Sequence, residues 1–170
     1  MHDEITVIHG DKTSTGHSKL PLVLILDRLR SVHNVGNILR LADAVNAEEV
    51  ACCGYTATPP HPKLAKASMG AENIVKTIHF DKASEAVIHY KSKGYKAIAA
   101  ETVEQAELVW DFKVDGPIAL VLGNEALGVQ EETLEVCDSF VKLPAFGLKN
   151  SINVSNCAAV VLFEIAKQLR

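Results

Sequence analysis

The chain has 170 residues, a hydrophobic fraction of 48% and a formal net charge of −4. This length fits one domain, and this composition is ordinary for a globular protein. The negative charge argues against nonspecific coating of nucleic acid, which phosphate neutralisation drives, but is compatible with a local basic patch. No apolar run has the length of a membrane span and no signal-peptide pattern occurs, so we expect a cytoplasmic protein that does not enter a membrane.

The first predicted elements are an arm, a strand and a helix. Residues 1–19 are polar and mixed, and we expect a loosely held N-terminal arm before a single domain over residues 20–170. Residues 20–26 (LPLVLIL) form an apolar run that is short enough for a buried strand. Apolar residues then recur at helical spacing over residues 35–45, and Asn34 is the expected N-cap of that helix.

The alternation of strands and helices continues along the chain. Further strands are predicted at residues 49–53, 74–78, 95–100, 118–122 and 140–143, and helices at residues 62–68, 83–93, 129–136 and 153–169. The proline-rich GYTATPPHP segment between them predicts a loop. Strands that alternate with helices favour a mostly parallel sheet with helices on both faces, so we predict an α/β fold.

The last predicted helix has two apolar edges. Val161 and Ile165 belong to its main stripe, and Cys157 falls on the same stripe, where a free thiol behaves as a small hydrophobe. Val160 and Phe163 add a second edge. A helix with one side exposed to solvent rarely needs a second apolar edge, so we expect a subunit contact there.

Four loops follow predicted strands, at the edge where open α/β sheets bind ligands. They read HNVGNILR, AAETV (residues 99–103), LGNEALG (residues 122–128) and LPAFGLKNSINVSN (residues 143–156). Neither GxGxxG nor GxxxxGK[ST] occurs, so the common nucleotide-binding fingerprints are not indicated. The cysteines and histidines lack metal-ligand spacing, and we expect no metal site.

Each loop has a structural interpretation beside a functional one. Gly123 and Gly128 fit either a tight turn or a close approach of backbone groups to a ligand. Asn34 fits a helix cap, with or without a further contact. Arg40 either covers apolar surface with its stem or points to an anion. The SINVSN segment carries four small polar side chains, more than one helix start needs.

Together, N-x-G-x-x-x-R after the first strand, G-N-E-x-x-G after IALVL and LPxxGxxxSxNVS before the last helix resemble the three signature motifs of the SpoU, or TrmH, family of RNA 2′-O-ribose methyltransferases. The resemblance covers about residues 20–168. It implies methyl transfer from S-adenosylmethionine to a ribose 2′-hydroxyl of transfer or ribosomal RNA. It also implies a deep trefoil knot at the C-terminus and a homodimer through the C-terminal helix and the knot region.

The resemblance also implies roles for matching residues. Arg40 matches the family's arginine, which acts on the ribose hydroxyl. It either stabilises the developing alkoxide charge or accepts the hydroxyl proton. The first role is simpler, because a guanidinium is ordinarily already protonated. The other expected catalytic residues are Asn34, Glu125, Ser151 and Asn153. The expected cofactor-binding residues are Ala100, Glu101, Thr102, Leu122, Gly123, Asn124, Gly128, Leu143, Pro144, Leu148 and Ser151.

The sequence departs from many relatives in two ways. Ala145 and Phe146 follow the proline of the third motif, where many relatives have a methionine, and this could reshape the cofactor pocket. Many relatives also have a separate N-terminal RNA-binding domain, whereas only residues 1–19 precede the first predicted strand here. We therefore expect RNA to be bound by the catalytic domain together with that of the partner subunit. The candidate contacts, each also explained as a plain surface residue, are Arg28, Arg30, Lys63, Lys66 and the loop over residues 55–61.

Two functions of other classes remain open. The first is a non-catalytic RNA-binding or assembly factor on the same fold, although retention of the motif residues argues against it. The second is a small-molecule α/β enzyme that uses the HNVG helix start as a phosphate site.

Overall fold

The structure is a computed structural model that describes residues 18–170, so the predicted arm over residues 1–19 lies almost wholly outside the described residues. The strands are β1 (Leu20–Asp27), β2 (Ala47–Cys53), β3 (Thr77–Phe80), β4 (Lys96–Ala100), β5 (Glu107–Leu108), β6 (Ile118–Leu122) and β7 (Ser139–Lys142). The helices are α1 (Val32–Ala44), α2 (Leu64–Ser68), α3 (Ala83–Ser92), α4 (Glu131–Leu134) and α5 (Val154–Leu169). A 3₁₀ turn covers Ala71–Asn73.

The strands of residues 18–170 form one parallel sheet in the order β3-β2-β1-β6-β4-β7-β5. At its centre, Leu24 of β1 pairs with Val50 of β2 on one side and with Leu120 of β6 on the other. Because all strands run in the same direction, the loops that follow them meet at one edge of the sheet. The prediction of a mostly parallel α/β fold is confirmed.

Helices cover both faces of this sheet, as the alternating pattern predicted. Successive side chains of β1 point to opposite faces: Leu24 packs in the cluster with α1 and α5, whereas Ile25 packs in the cluster with α3. Both are fully buried, and burial of a side chain of this size stabilises the fold by about 1.5–3 kcal/mol. Within the described part of the chain, no helix has the length and hydrophobicity to cross a membrane.

The prediction that Asn34 caps α1 is wrong. The helix begins at Val32, and Ser31 is its N-cap, with a hydroxyl that accepts a hydrogen bond from the Asn34 backbone N at 3.3 Å. The Asn34 side chain is therefore released from capping and is free to bond elsewhere.

Two other predicted elements differ from the structure, and one strand of the structure has no predicted counterpart. The strand predicted at residues 74–78 begins only at Thr77, where pairing with Val50 starts, and Ile74 instead ends the 3₁₀ turn with an exposed side chain. The helix predicted at residues 129–136 is shorter, because the Val129 backbone N bonds to a side chain of another loop. The two-residue β5 was not predicted.

Candidate active site

A cavity of about 770 Å³ lies at the carboxyl ends of β4, β6 and β7. Its wall is formed by residues 100–103 after β4, residues 122–129 after β6, and residues 141–145 and 150–154 between β7 and α5. The volume falls in the range of about 300–1,000 Å³ that is typical of small-molecule sites. Three of the four predicted loops therefore meet at one cavity of ligand size.

The LGNEALG loop is a closed turn. Asn124 and Gly128 exchange backbone hydrogen bonds of 3.0 and 2.9 Å, and the Asn124 side chain accepts from the backbone N atoms of Ala126 and Leu127. Gly128 has φ +69°, and a Cβ on Gly123 would collide with the backbone of Gly128. The two glycines therefore allow a closer backbone approach than any other residue would.

Glu101 connects the loop after β4 to the loop after β6. One of its carboxylate oxygens accepts from the Val129 backbone N at 2.9 Å, and the other accepts from the Thr102 backbone N at 2.8 Å. A Cβ on Gly128 would collide with this carboxylate, so the glycine is also required for the contact. Glu101 thereby places a negative charge in the cavity wall.

Glu125 connects the loop after β6 to the start of α1. Its carboxylate accepts from the backbone N atoms of Arg30 at 2.9 Å and Ser31 at 3.0 Å, and from Asn34 Nδ2 at 2.8 Å. Partial burial alone would raise the pKa of Glu125, but these hydrogen bonds together lower it below its ordinary value. Glu125 is therefore an ionised acceptor at neutral pH.

A chain of side chains extends from Glu125 to the last helix. Asn153 Nδ2 donates to Asn34 Oδ1 at 3.1 Å, while Asn153 Oδ1 accepts from the backbone N atoms of Ser155 and Asn156 at 2.9 and 3.4 Å. Asn153 is therefore both the N-cap of α5 and a partner of Asn34. This chain joins all three sequence motifs and accounts for part of the unusual polarity of the SINVSN segment.

The cavity brings together most of the residues predicted for the site. Those in its wall are Ala100, Glu101, Thr102, Leu122, Gly123, Asn124, Glu125, Gly128, Leu143, Pro144, Ser151 and Asn153. Asn34 lies outside the wall, but it contacts two wall residues, Glu125 and Asn153.

Two predicted residues lie apart from the cavity wall. Arg40 is exposed on α1, almost two turns after Asn34, and it has no hydrogen bond or ion pair to any residue of the described chain. Leu148 is fully exposed in the segment before α5. Their proposed contacts with substrate and cofactor stay predictions.

Two residues at the site, Ser31 and Cys157, were not assigned from the sequence, and a third, Tyr55, was named only as part of the candidate RNA-binding loop over residues 55–61. Ser31 caps α1, which its position three residues before Asn34 could have indicated. Tyr55 accepts a hydrogen bond from Asn124 Nδ2, a contact for which the sequence holds no signal. Cys157 lines the cavity, where burial and then the Glu101 charge raise its pKa to about 11, so it is a neutral thiol at pH 7.

The parallel sheet and the cavity at its carboxyl edge place the protein in the class of α/β domains that bind a ligand with loops following the strands. Residues 21–163 match the SpoU rRNA Methylase family, and the chain belongs to this family. The resemblance seen in the three motifs is thereby confirmed.

Individual relatives are similar over most of this chain. It is 35% identical over 159 residues to the 23S rRNA (guanosine-2′-O-)-methyltransferase RlmB of Ralstonia nicotianae, covering 93% of this chain and 63% of the relative. The RlmB of Photobacterium profundum is 31% identical over 167 residues, covering 98% and 65%. The SpoU methyltransferase AviRb of Streptomyces viridochromogenes, solved with AdoMet, superposes with a TM-score of 0.79 at 26% identity, covering 93% and 64%. The chain thus spans less than two thirds of each relative.

Proposed function

We propose that this protein transfers a methyl group from S-adenosylmethionine to a ribose 2′-hydroxyl of transfer or ribosomal RNA. The observation that carries the proposal is the hydrogen-bonded chain Glu125–Asn34–Asn153, which joins the three family motifs beside one cavity. The names of the RlmB relatives and the AdoMet complex of AviRb support it.

The residues around the cavity fit S-adenosylmethionine. Leu122, Leu143 and Val154 offer apolar surface for an adenine ring, and the tight Gly123–Gly128 turn brings backbone donors and acceptors to the wall. The Glu101 carboxylate suits a ligand that carries positive charge. When bound, this cofactor supplies a methyl group that its sulfonium already activates.

The polar residues would position the ribose and assist removal of the proton from its 2′-hydroxyl. Asn34 is fixed in orientation, because its two side-chain atoms bond in opposite directions to Glu125 and Asn153. Ser151 lies exposed in the cavity wall and can bond to the ribose. The Arg40 guanidinium would stabilise charge on the 2′-oxygen as the hydroxyl proton leaves; its alternative role is as the acceptor of that proton.

A labelling experiment tests the proposal. Purified protein is incubated with methyl-labelled S-adenosylmethionine and unmodified total RNA, and the transfer and ribosomal RNA fractions are separated and digested to nucleosides. We expect a labelled 2′-O-methylnucleoside from one fraction and none from a reaction without protein. Absence of cofactor binding would contradict the proposal.

One observation favours a second function, a non-catalytic RNA-binding or assembly factor. Arg40 lies outside the cavity wall, so the described chain does not by itself join the arginine to the cofactor pocket. In the labelling experiment, this alternative predicts bound cofactor and bound RNA without labelled nucleosides.

We also propose that the C-terminal segment is knotted. β4 and β5 are consecutive along the chain, yet β7 lies between them in the sheet, so residues 101–117 pass around the segment that contains β7. The end of α5 then packs against this loop, where Gln168 bonds to Phe112 O at 3.1 Å and to Val114 N at 3.0 Å. This arrangement supports a trefoil knot formed by threading through residues 101–117.

A homodimer through α5 and the knot region is a further proposal. Val160 and Phe163 are 37% and 53% exposed on α5, and Phe146 is 94% exposed in the preceding segment. Large apolar side chains left in water favour a protein contact. We also propose that residues 20–170 act as a single domain and that the protein works in the cytoplasm.

Light scattering tests the dimer. Phe163→Asp places a charge on the apolar edge and should give monomers, as should Val160→Asp. Lys167→Ala, an exposed change elsewhere on α5, is the control and should leave the dimer intact. An unchanged dimer in both aspartate variants would exclude this interface.

A further inference from the structure

Tyr55 is an exposed aromatic residue that is hydrogen-bonded to a residue of the cavity wall. Its side chain is 58% exposed in the turn after β2, and its hydroxyl oxygen accepts from Asn124 Nδ2 at 2.9 Å. Asn124 belongs to the cavity wall and is 4% exposed. The ring of Tyr55 is therefore fixed beside the candidate site.

The backbone that carries Tyr55 is also fixed. On one side, Gly54 has φ +60° and packs so closely on the Arg28 side chain that a Cβ would lie 2.9 Å from Arg28 Cγ. On the other side, the buried Thr56 hydroxyl accepts from the Leu29 backbone N at 2.9 Å and donates to Cys53 O at 2.8 Å. A ring held in this way loses little conformational entropy when a ligand stacks on it.

The Tyr55 hydroxyl keeps one hydrogen-bonding function. It acts as the acceptor toward Asn124, so its own O–H remains a donor, and no residue of the described chain accepts from it. The phenol thus offers an aromatic face together with a polar donor next to the cavity.

Positive charge lies on the adjoining loop. Arg30 has an exposed side chain, while its backbone N is fixed by Glu125. The Arg28 side chain packs on the Tyr55 turn and is 23% exposed, although its Nε pairs with the buried Asp27. Arginine beside an exposed aromatic ring is the combination that binds single-stranded nucleic acid, where bases stack on the ring and phosphates meet the cation.

We propose that Tyr55 is a stacking platform for an unpaired base of the RNA substrate, next to the nucleotide that enters the cavity. The base must be unpaired and unstacked, because a base inside a duplex already has both faces covered. This inference rests on the proposed function and adds a substrate-binding residue to it.

The test compares RNA binding by variants of Tyr55. The probe is the RNA fraction that wild-type protein methylates in the labelling experiment, with its dissociation constant measured by fluorescence anisotropy. Loss of one stacked base weakens binding by about 1–3 kcal/mol, or roughly 5- to 150-fold. We therefore expect about a tenfold higher dissociation constant for Tyr55→Ala and for Tyr55→Leu, and a nearly wild-type value for Tyr55→Phe, which keeps the ring.

Several controls make the outcome specific. Tyr55→Leu keeps apolar bulk in case the alanine variant is unstable, and the affinity for S-adenosylmethionine should stay unchanged in all three variants. Ile88→Ala removes a side chain of similar exposure, 56%, from α3, which does not line the cavity, and should not affect RNA binding.

The inference is overturned if Tyr55→Leu binds the RNA as tightly as wild type, or if Tyr55→Phe loses as much affinity as Tyr55→Leu. Either result in a protein that still methylates RNA leaves the proposed function intact. A wild-type protein that neither binds nor methylates RNA overturns both proposals together.

Discussion

Two glutamates, one near the amino ends of the strands and one at the carboxyl edge, show how similar chemistry serves different purposes. Glu49 of β2 accepts from Tyr90 Oη at 2.6 Å and pairs with Lys76 Nζ at 2.8 Å. Burial alone would raise its pKa, but the hydrogen bonds from Lys76 and Tyr90 and the Lys76 charge lower it. The pKa of Glu125 is also lowered, against its burial, by hydrogen bonds.

The two carboxylates differ in what balances their charge. The ammonium of Lys76 neutralises Glu49, which is 4% exposed and does not border the cavity. Glu125 has no cationic side chain within ion-pair distance in residues 18–170; its partners are two backbone N–H groups and an amide. An ion pair far from the cavity stabilises the fold, whereas a carboxylate whose partners are N–H groups beside a cavity can orient groups toward a ligand.

The largest effect is expected from Arg40, which is exposed on α1 almost two turns after Asn34. Arg40→Ala should lower methyl transfer by about 10³-fold, the scale of losing one charge-stabilising donor. Affinity for S-adenosylmethionine should stay within a few-fold, because Arg40 lies outside the cavity wall. Single-turnover rates and cofactor titrations measure the two effects, with Asp43→Ala on the same helix as the control. A large loss of cofactor affinity would show that Arg40 has been assigned the wrong position relative to the cofactor.

Glu125→Gln should have the next largest effect. The amide NH₂ would replace one of the two acceptor oxygens and would face either the Arg30 backbone N–H or the Ser31 N–H and Asn34 Nδ2, so the α1 start or Asn34 would shift. A displacement of about 1 Å at a reacting centre costs about 10²-fold in rate. The rate of methyl transfer at saturating RNA and cofactor measures the effect. A variant with wild-type activity would remove the functional difference between the two glutamates.

Glu49→Gln is the matched change at the other end of the sheet. It should lower the free energy of unfolding by about 1–3 kcal/mol, because the buried Tyr90 hydroxyl and the Lys76 ammonium lose a charged acceptor. Urea unfolding measures this change. Methyl transfer per folded molecule should equal that of wild type, and a loss of activity comparable to that of Glu125→Gln would contradict the comparison.

The smallest effect concerns acid stability. Both carboxylates have a pKa below the ordinary 4.5 in the folded state, so each contributes stability that is complete above 4.5 and disappears as the pH falls through the folded-state pKa. Unfolding free energies measured from pH 6 downward should therefore decline, and decline less steeply in Glu49→Gln. Equal slopes in the two proteins would mean that Glu49 has an ordinary pKa.

The sequence predicts those parts of the fold that depend on local patterns. β6 was predicted with correct bounds because IALVL is apolar throughout, as a central strand covered on both faces must be. β5 has only two residues and exists because Glu107 and Leu108 pair with β7, so no local sequence pattern predicts it. The proposed knot is of the same kind, since threading depends on chain order in space and not on periodicity.

For the site too, the sequence predicts which residues matter but not which residues they contact. The motifs identify Glu125 and Asn153 as polar residues of interest, but their partners lie in distant parts of the chain and cannot be deduced from spacing. Asn34 shows the difficulty well: asparagine before an apolar helix is a common cap, and only the presence of Ser31 frees it for the site.

The chain Glu125–Asn34–Asn153 has a consequence for when the protein becomes competent. Its two hydrogen bonds span 91 and 119 residues of sequence, and such non-local contacts form late in folding, after their loop-closure entropy has been met. During synthesis, Asn153 leaves the ribosome after all seven strands of the described sheet. The site is therefore completed by a segment that follows the strands, and a chain that has not yet reached Asn153 can form its sheet without yet being able to hold a ligand.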